Sequence, residues 1–336
     1  MNNRIERFWG IQYLRAAAAL MVAYYHLRIQ VPAFESTLMT PVFDLFYRGV
    51  DIFFVISGFV MITTGANATA ADFIRKRLVR IVPLYWILTL LVAVVAWIAP
   101  HILKTTHLST EAVVKSLLFI PFHNVGQDGD LKPLLIPGWS LNYEMMFYGV
   151  FALALLFARQ WLIWTTGALL GGMVALGSLL QPGTVAAFYC DPIILEFWLG
   201  MLIGQYARKM TPPWPVSLAL LAAGLWLLLF QPGGRPLEAI AAGLLVWSIV
   251  ALEPRIPRIS ILATLGDASY SIYLLHLFVF GVTRIAWHGG PIGFAIFSLS
   301  VVCVASVLSY RLIEKPIIKL TKRGPSVASA TALNLQ

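Results

Sequence analysis

The chain has 336 residues, of which 59% are hydrophobic and only 12% are charged, and its mean hydropathy is +0.81. A soluble domain has about 25% charged residues, so this composition excludes an ordinary soluble protein and favours a helical membrane protein. The net charge of +9 could indicate nucleic-acid binding. Because the basic residues cluster in short connections between apolar runs, which is a topology pattern, we expect no nucleic-acid partner.

Ten apolar segments predict ten membrane-spanning helices, with their boundaries uncertain by several residues. The predicted spans are 11–30, 43–64, 78–99, 138–158, 161–180, 186–207, 215–230, 237–252, 267–287 and 291–312. Sixteen Lys and Arg residues fall on one predicted side and six on the other, which places both termini in the cytoplasm. The predicted fold is therefore an all-α polytopic bundle forming one membrane domain over 1–323, followed by a disordered tail, 324–336.

The first span contains two ionisable residues, Arg15 and His26. Eleven residues make close to three helical turns, so both side chains lie on one face, roughly 16 Å apart along the axis. One interpretation is that Arg15 reaches the inner headgroups and His26 is a satisfied polar residue. The other is a functional site, because ionisable groups inside a membrane are costly and His is well suited to accept a proton.

Two further segments carry charge at span ends. Arg48 and Asp51 are i, i+3 neighbours that can neutralise one another or form the wall of a site, and Gly58 allows a close helix approach. The basic segment 75–80 holds four cations in six residues. These cations either anchor anionic lipids or form a phosphate clamp from Arg77 and Arg80, which share one face at a helix start.

The longest connection, about 100–137, is predicted to lie outside the membrane, and loops of this length are often functional. Its ionisable residues include His101, His107, His123, Asp128 and Asp130.

Polar residues recur on two later spans. Ser140 and Glu144 are i, i+4 on one helix face, and Glu144 is predicted at a depth where it can pair with His26. Ser269, Tyr273 and His276 share a face of the ninth span and either bond neighbouring helices or line the same cavity. The two cysteines lie in apolar segments and are interpreted as core residues, so we expect no metal site.

These segments together resemble the acyltransferase-3 family of integral membrane acyltransferases over nearly the whole chain. The resemblance rests on Arg15 with His26, on 49–59, on 77–83, on 139–144 and on 269–276. It implies a bacterial inner-membrane enzyme that moves an acyl group, usually acetyl from cytoplasmic acetyl-CoA, to a sugar hydroxyl of an extracytoplasmic polysaccharide or lipid-linked glycan. It also implies that Arg15, His26, Arg77 and Arg80 are tied to activity. Some relatives carry a fused hydrolase-like domain, which we do not find here, so the membrane domain is expected to act on the acceptor directly.

The predicted mechanism places the CoA phosphates on Arg77 and Arg80, helped by Arg15, with His26 as general base. Glu144 is expected to hold the His26 tautomer, while Tyr273 or Ser140 donates to the oxyanion. Arg48, Asp51 and His276 are further candidate substrate contacts. A His-linked acyl intermediate is the alternative chemistry. The alternative function is a transporter or flippase for an anionic or glycan substrate, although no internal repeat supports it. The oligomeric state is left open.

Overall fold

The computed structural model describes residues 8–30, 45–100, 103, 107–124, 131–181, 183–207, 209–230 and 233–322. Over these ranges the chain is helical, and its only β feature is an isolated antiparallel bridge between His123 and Leu131. The all-α prediction is therefore confirmed. The tail 324–336, and His101, Asp128 and Asp130 of the long connection, lie outside the described residues.

Fourteen α-helices follow one another in the described ranges. They are α1 (Trp9–Gln30), α2 (Gly49–Gly65), α3 (Ala70–Ile98), α4 (Thr110–Leu117), α5 (Trp139–Phe157), α6 (Leu162–Gly177), α7 (Val185–Tyr189), α8 (Leu195–Tyr206), α9 (Trp214–Phe230), α10 (Arg235–Leu252), α11 (Ser260–Asp267), α12 (Ser269–Ala286), α13 (Pro291–Ser309) and α14 (Lys315–Lys322). A π-helical turn, Tyr310–Glu314, joins the last two.

Seven helical stretches of the described chain are long and apolar enough to cross a membrane. They are Leu45–Gly65, Ala70–Ile98, Ile136–Phe157, Val185–Tyr206, Arg235–Arg255, Ser269–Ala286 and Pro291–Leu320. The predicted count of ten is thus not confirmed. α9 is apolar but too short, and α6 has only 16 residues. In α1, polar and charged residues such as Arg15 and His26 lower the mean hydropathy.

Helix α3 begins eight residues before the predicted span, so the basic segment 75–80 lies in its first turns rather than in a loop. The start is fixed by Thr69, whose side chain accepts a hydrogen bond from the backbone of Asp72 at 3.1 Å. The cations of this segment are therefore held on a regular helix surface.

The closest helix crossing joins α2 to α8. A Cβ atom on Gly58 would lie 1.8 Å from the carbonyl oxygen of Phe197, and one on Gly200 would lie 1.9 Å from that of Val55. Only glycine permits the two backbones to approach this closely, as the sequence predicted for Gly58. Aromatic rings pack beside the crossing, with Phe197 stacked on Phe54 at 4.5 Å between centroids.

Helices α1, α3 and α12 run in the same direction. Gln12, near the start of α1, packs on Gly266 just before α12, and further along the rings of His26 and His276 meet. The hydroxyl of Tyr270, at the start of α12, donates to the carbonyl oxygen of Ile81 in α3 at 2.7 Å. Further along, Tyr85 of α3 packs on Gly138 just before α5, and Tyr273 of α12 meets Ser140 at the start of α5, so α3 and α12 advance together. All three helices therefore begin at one end of the bundle, and His26 lies toward the other.

Candidate active site

A cavity of about 110 Å³ lies between α1, α2, α3, α5 and α12. Its polar lining consists of Arg15, Ser57, Arg77, Arg80, Ser140, Glu144, Tyr148, Ser269, Tyr270 and Tyr273. Apolar side chains of α2, including Phe53 and Phe54, form much of the remaining wall. Polar residues that the sequence placed on several separate spans therefore share one cavity.

The three arginines of this cavity form no ion pair within the part of the chain that the structure describes. Arg77 donates to the Thr64 hydroxyl at 3.2 Å, and Arg15 makes only a long contact, 3.4 Å, with the Gln12 side chain. The Nη2 atom of Arg80 is buried without a hydrogen-bond partner. Among the residues that the structure describes, no carboxylate oxygen lies within ion-pair distance of these three guanidinium groups. Glu144 lies in the lining of the same cavity without pairing to them, and guanidinium donors that are not held in ion pairs can bind an anion.

Glu144 lies in the same cavity but does not contact His26. Its carboxylate accepts hydrogen bonds from Ser57, at 3.0 Å, and from Tyr148 one turn along α5. The expected Glu144–His26 pair is therefore not formed, and the prediction that Glu144 holds the imidazole tautomer is wrong for this structure. Depth along a helix predicts the level of a side chain but not the direction in which it points, and Glu144 points toward the arginines.

The His26 ring is held by its own helix. Its Nδ1 atom lies 2.9 Å from the carbonyl oxygen of Val22, one turn earlier. A carbonyl can only accept, so this contact places a hydrogen on Nδ1 and leaves a lone pair on Nε2 of the neutral ring. That is the tautomer that a general base requires, and it is fixed by the backbone.

His276 packs against His26, with 4.9 Å between ring centroids. It is fully buried, its Nδ1 atom lies 3.2 Å from the Ile272 carbonyl oxygen, and its Nε2 atom has no hydrogen-bond partner. The Tyr273 ring lies 6.3 Å from that of His276. A line of rings thus joins His26 to the cavity.

Ser140 and Tyr273 meet where this line enters the cavity. Their hydroxyl oxygens are 2.7 Å apart, although the residues are 133 positions apart in sequence. Either hydroxyl can donate the shared hydrogen, so a pair of hydroxyl donors lies between the arginines and the two histidines.

Comparison with known proteins identifies the family of this chain. A family model for the acyltransferase-3 domain matches residues 8–311. The chain belongs to the acyltransferase-3 family. It is 35% identical over 295 residues to the exopolysaccharide production protein ExoZ of Rhizobium meliloti, an alignment that covers 82% of this chain and 91% of that protein.

Other acyltransferase-3 relatives are more distant. The acyltransferase MdmB of Streptomyces mycarofaciens is 25% identical over 380 residues, covering 98% of this chain and 96% of that protein. A putative O-acetyltransferase of Staphylococcus aureus is 26% identical over 354 residues, covering 91% of this chain and 56% of that protein. No solved structure matches the chain significantly. The protein is therefore an acyltransferase built from membrane helices.

Arg48 and Asp51 lie outside the cavity of this acyltransferase-3 protein, in a second group of charges. Arg48 is 3.4 Å from Glu238 and donates to the Leu228 carbonyl oxygen at 2.8 Å, while Asp51 is 3.5 Å from Arg235. The predicted Arg48–Asp51 pair is thus replaced by partners on α10. Val50, Phe53 and Phe54 face the cavity, so Asp51 projects from another side of α2.

The sequence analysis did not identify four residues that make contacts in these two sites. Ser57 and Tyr148 bind the Glu144 carboxylate, and Arg235 and Glu238 complete the second group. Tyr148 follows Glu144 by one helical turn, a spacing that was available in the sequence. Glu238 is an acid inside a predicted span and could have been singled out as Glu144 was.

Proposed function

We propose that this acyltransferase-3 protein is an O-acetyltransferase of a bacterial cytoplasmic membrane, which transfers acetyl from cytoplasmic acetyl-CoA to a sugar hydroxyl of an exopolysaccharide or other surface glycan. The main supporting observation is that the two ends of the candidate site carry different chemical groups. Three guanidinium groups that form no ion pair with a described residue line one end, and a histidine with an available Nε2 lone pair lies beyond the other.

The arginine end fits the phosphate-bearing part of the donor. Arg77 and Arg80 lie three residues apart on α3, and Arg15 joins them from α1. Guanidinium groups bind phosphate through paired hydrogen bonds, and the unpartnered Nη2 of Arg80 is one donor ready for this. A cavity of about 110 Å³ is far smaller than a nucleotide coenzyme. The nucleotide would therefore remain at the cationic rim, with only the thioester end inside.

His26 acts as the general base in this proposal. Its Nε2 atom takes the proton of the acceptor hydroxyl while the hydroxyl oxygen attacks the thioester carbonyl carbon. As the tetrahedral intermediate collapses, the carbon–sulfur bond breaks and the proton passes from His26 to the departing thiolate. The products are the sugar ester and the free thiol, so no other reactant is needed. His276 is a positioning residue that packs on the His26 ring.

Ser140 and Tyr273 supply donors for the oxyanion. In the structure the Ser140 hydroxyl donates to the Pro137 carbonyl oxygen at 3.3 Å and lies 2.7 Å from the Tyr273 hydroxyl, so one of these two hydrogen bonds is exchanged when the oxyanion forms. Glu144 serves as the counter-charge that keeps the arginine end folded, held by Ser57 and Tyr148. Arg48 and Asp51 serve as structural partners of α10.

The proposal is tested with purified full-length protein in lipid vesicles, [¹⁴C]acetyl-CoA, and polysaccharide from the producing cells that has been stripped of O-acetyl groups by mild alkali. We expect radiolabel on the polysaccharide and release of free CoA. Transport of acetyl-CoA or glycan into the vesicles without ester formation would contradict an acetyltransferase and support the transporter alternative.

A further inference from the structure

The cavity between α1, α2, α3, α5 and α12 has one wall that is almost wholly apolar, and α2 forms it. Among the described residues of α2 that line the cavity, Ser57 alone has a polar side chain, and its hydroxyl is bound to Glu144 at 3.0 Å. The rest of this wall suits only an apolar part of a ligand, because a polar group placed there would lose its hydrogen bonds. In an acyl thioester the hydrocarbon chain of the acyl group is such a part.

Phe53 borders this wall on the side of α12. Its ring lies 5.8 Å from that of Tyr273 in an edge-to-face arrangement, and it is only partly buried. The next residue, Phe54, turns the other way: it is 2% exposed and stacks on Phe197. Both phenylalanines line the cavity, but Phe53 is the one beside the tyrosine whose hydroxyl is a proposed oxyanion donor.

The position of Phe53 determines what the acyl group meets in the proposed binding mode. The Tyr273 hydroxyl lies 2.7 Å from that of Ser140, and a thioester carbonyl oxygen bound at this pair leaves the acyl chain one bond away, inside the same cavity. Because the coenzyme arm comes from the arginines, the acyl chain extends away from them and along the apolar wall. Next to Tyr273, the surface of that wall is the ring of Phe53.

The cavity has room for a short acyl group only. Its volume of about 110 Å³ is close to that of roughly four water molecules at about 30 Å³ each. The methyl, carbonyl and sulfur atoms of an acetyl thioester fill a space of this order. Each further methylene needs a wall residue to move, because protein interiors are close-packed.

The packing of Phe53 leaves it little freedom to move aside. It packs against all three hydrophobic clusters of the described bundle, which are built mainly on α3 with α5, on α2 with α10, and on α1 with α12 and α13. A ring that is held from three directions cannot shift without disturbing several helices. The space beside Tyr273 is therefore fixed by the fold.

We propose that Phe53 restricts the donor to short acyl chains, because its ring closes the space in which the acyl group lies beside Tyr273. This inference rests on the proposed function, since it assumes an acyl thioester bound in this cavity. Phe53 is then a specificity-determining residue: an acetyl group fits against the ring, and a butyryl group collides with it.

The test measures kcat/KM for acetyl-CoA and for butyryl-CoA with the same preparation of full-length protein and de-O-acetylated polysaccharide. Phe53→Ala should lower the preference for acetyl-CoA over butyryl-CoA by at least about 10-fold, since one misplaced methylene in an apolar pocket changes discrimination by about 10–200-fold. Because both donors meet the same protein, a loss of folded enzyme cancels from the ratio.

Two further variants make the test specific. Phe53→Leu keeps more of the packing and should shift the ratio in the same direction by a smaller amount, even if Phe53→Ala fails to fold. Ile52→Ala is the matched control, because Ile52 is the preceding residue of α2, is 1% exposed and does not line the cavity. Its ratio should equal that of the unmodified protein.

The outcomes separate this inference from the proposed function. An unchanged ratio in both Phe53 variants, or an equal shift in Ile52→Ala, overturns the role of Phe53 and leaves the acetyltransferase standing. Equal use of the two donors by the unmodified protein also overturns it, because the cavity would then not limit chain length. Absence of transfer from either donor by the unmodified protein overturns the proposed function and this inference together.

Discussion

Two groups of arginines lie inside this bundle, and they differ in what surrounds them. Arg48 is 1% exposed and has Glu238 and two backbone carbonyl oxygens as partners. Arg15, Arg77 and Arg80 line an open cavity and have no acidic side chain within ion-pair distance among the described residues. Arg48 is therefore paired with a carboxylate by the fold, although its Nε atom makes no hydrogen bond, whereas the cavity arginines form no ion pair with a described residue.

The difference gives a rule for interpreting charges in a membrane domain. A buried charge is tolerated when it is paired and hydrogen-bonded, and such a pair can be purely structural. A charge that the fold leaves unpaired is costly, so its retention points to a partner that arrives later. By this rule we expect Arg48 and Asp51 to stabilise the bundle, and the three cavity arginines to bind the donor as proposed above.

The largest effect is expected for substitution of His26, the proposed general base. His26→Ala should lower the rate of polysaccharide acetylation by about 10²–10⁴-fold, because a positioned general base contributes about that much. The melting temperature and acetyl-CoA binding should stay near those of the unmodified protein. His288→Ala is the matched control, and an active His26→Ala variant would remove His26 from the mechanism.

The second effect is a loss of stability, expected when the Arg48–Glu238 ion pair is broken. Glu238→Ala leaves Arg48 without its carboxylate, and removing one member of a buried pair costs about 3–5 kcal/mol. Thermal unfolding in detergent measures the change. The double variant Arg48→Met/Glu238→Leu should lose much less than the sum of the single losses. Additive losses would mean that the two residues do not act as a pair.

The third effect is on donor affinity and should leave stability intact. Arg80→Ala should raise KM for acetyl-CoA by about 10–100-fold, the effect of losing one or two hydrogen bonds to a charged group. Because Arg80 forms no ion pair with a described residue that the substitution would break, the melting temperature should not fall. Arg311→Ala is a suitable control, since Arg311 is exposed and lies outside the cavity. Destabilisation by Arg80→Ala without a change in KM would place Arg80 with the structural arginines.

The smallest effect separates two roles for Glu144. If Glu144 is the counter-charge of the arginines, Glu144→Gln should tighten CoA binding by about 5-fold, corresponding to roughly 1 kcal/mol of removed competition. Calorimetric titration with CoA measures this. If Glu144 instead assists the base, as the sequence first indicated, affinity should be unchanged and kcat should fall by 100-fold or more.

Helical spacing predicted which side chains lie at the same depth in the bundle, but not which residues they contact. Arg15 and Tyr273 do line one cavity, and Ser140 meets Tyr273. The i, i+3 rule favoured an Arg48–Asp51 pair, yet both residues use partners about 190 positions away, because tertiary packing brings α10 against α2. No local pattern contains that contact.

The span count failed for a related reason. Hydropathy is averaged over a window of residues, so Arg15 and His26 lower the mean hydropathy of α1 below the value that identifies a membrane span. The helix that carries two of the predicted site residues is thus one that hydropathy does not identify as a span. The early start of α3 was also missed, although Thr69 followed three residues later by Asp72 is a helix-start pattern, because the apolar run that marks the span begins only at Leu78.

Because the Val22 carbonyl oxygen accepts a hydrogen bond from Nδ1 of His26, the tautomer of this ring is set by the backbone of its own helix. If His26 is the general base, as proposed, substitutions elsewhere in the chain can change the acceptor without changing which ring nitrogen takes the proton.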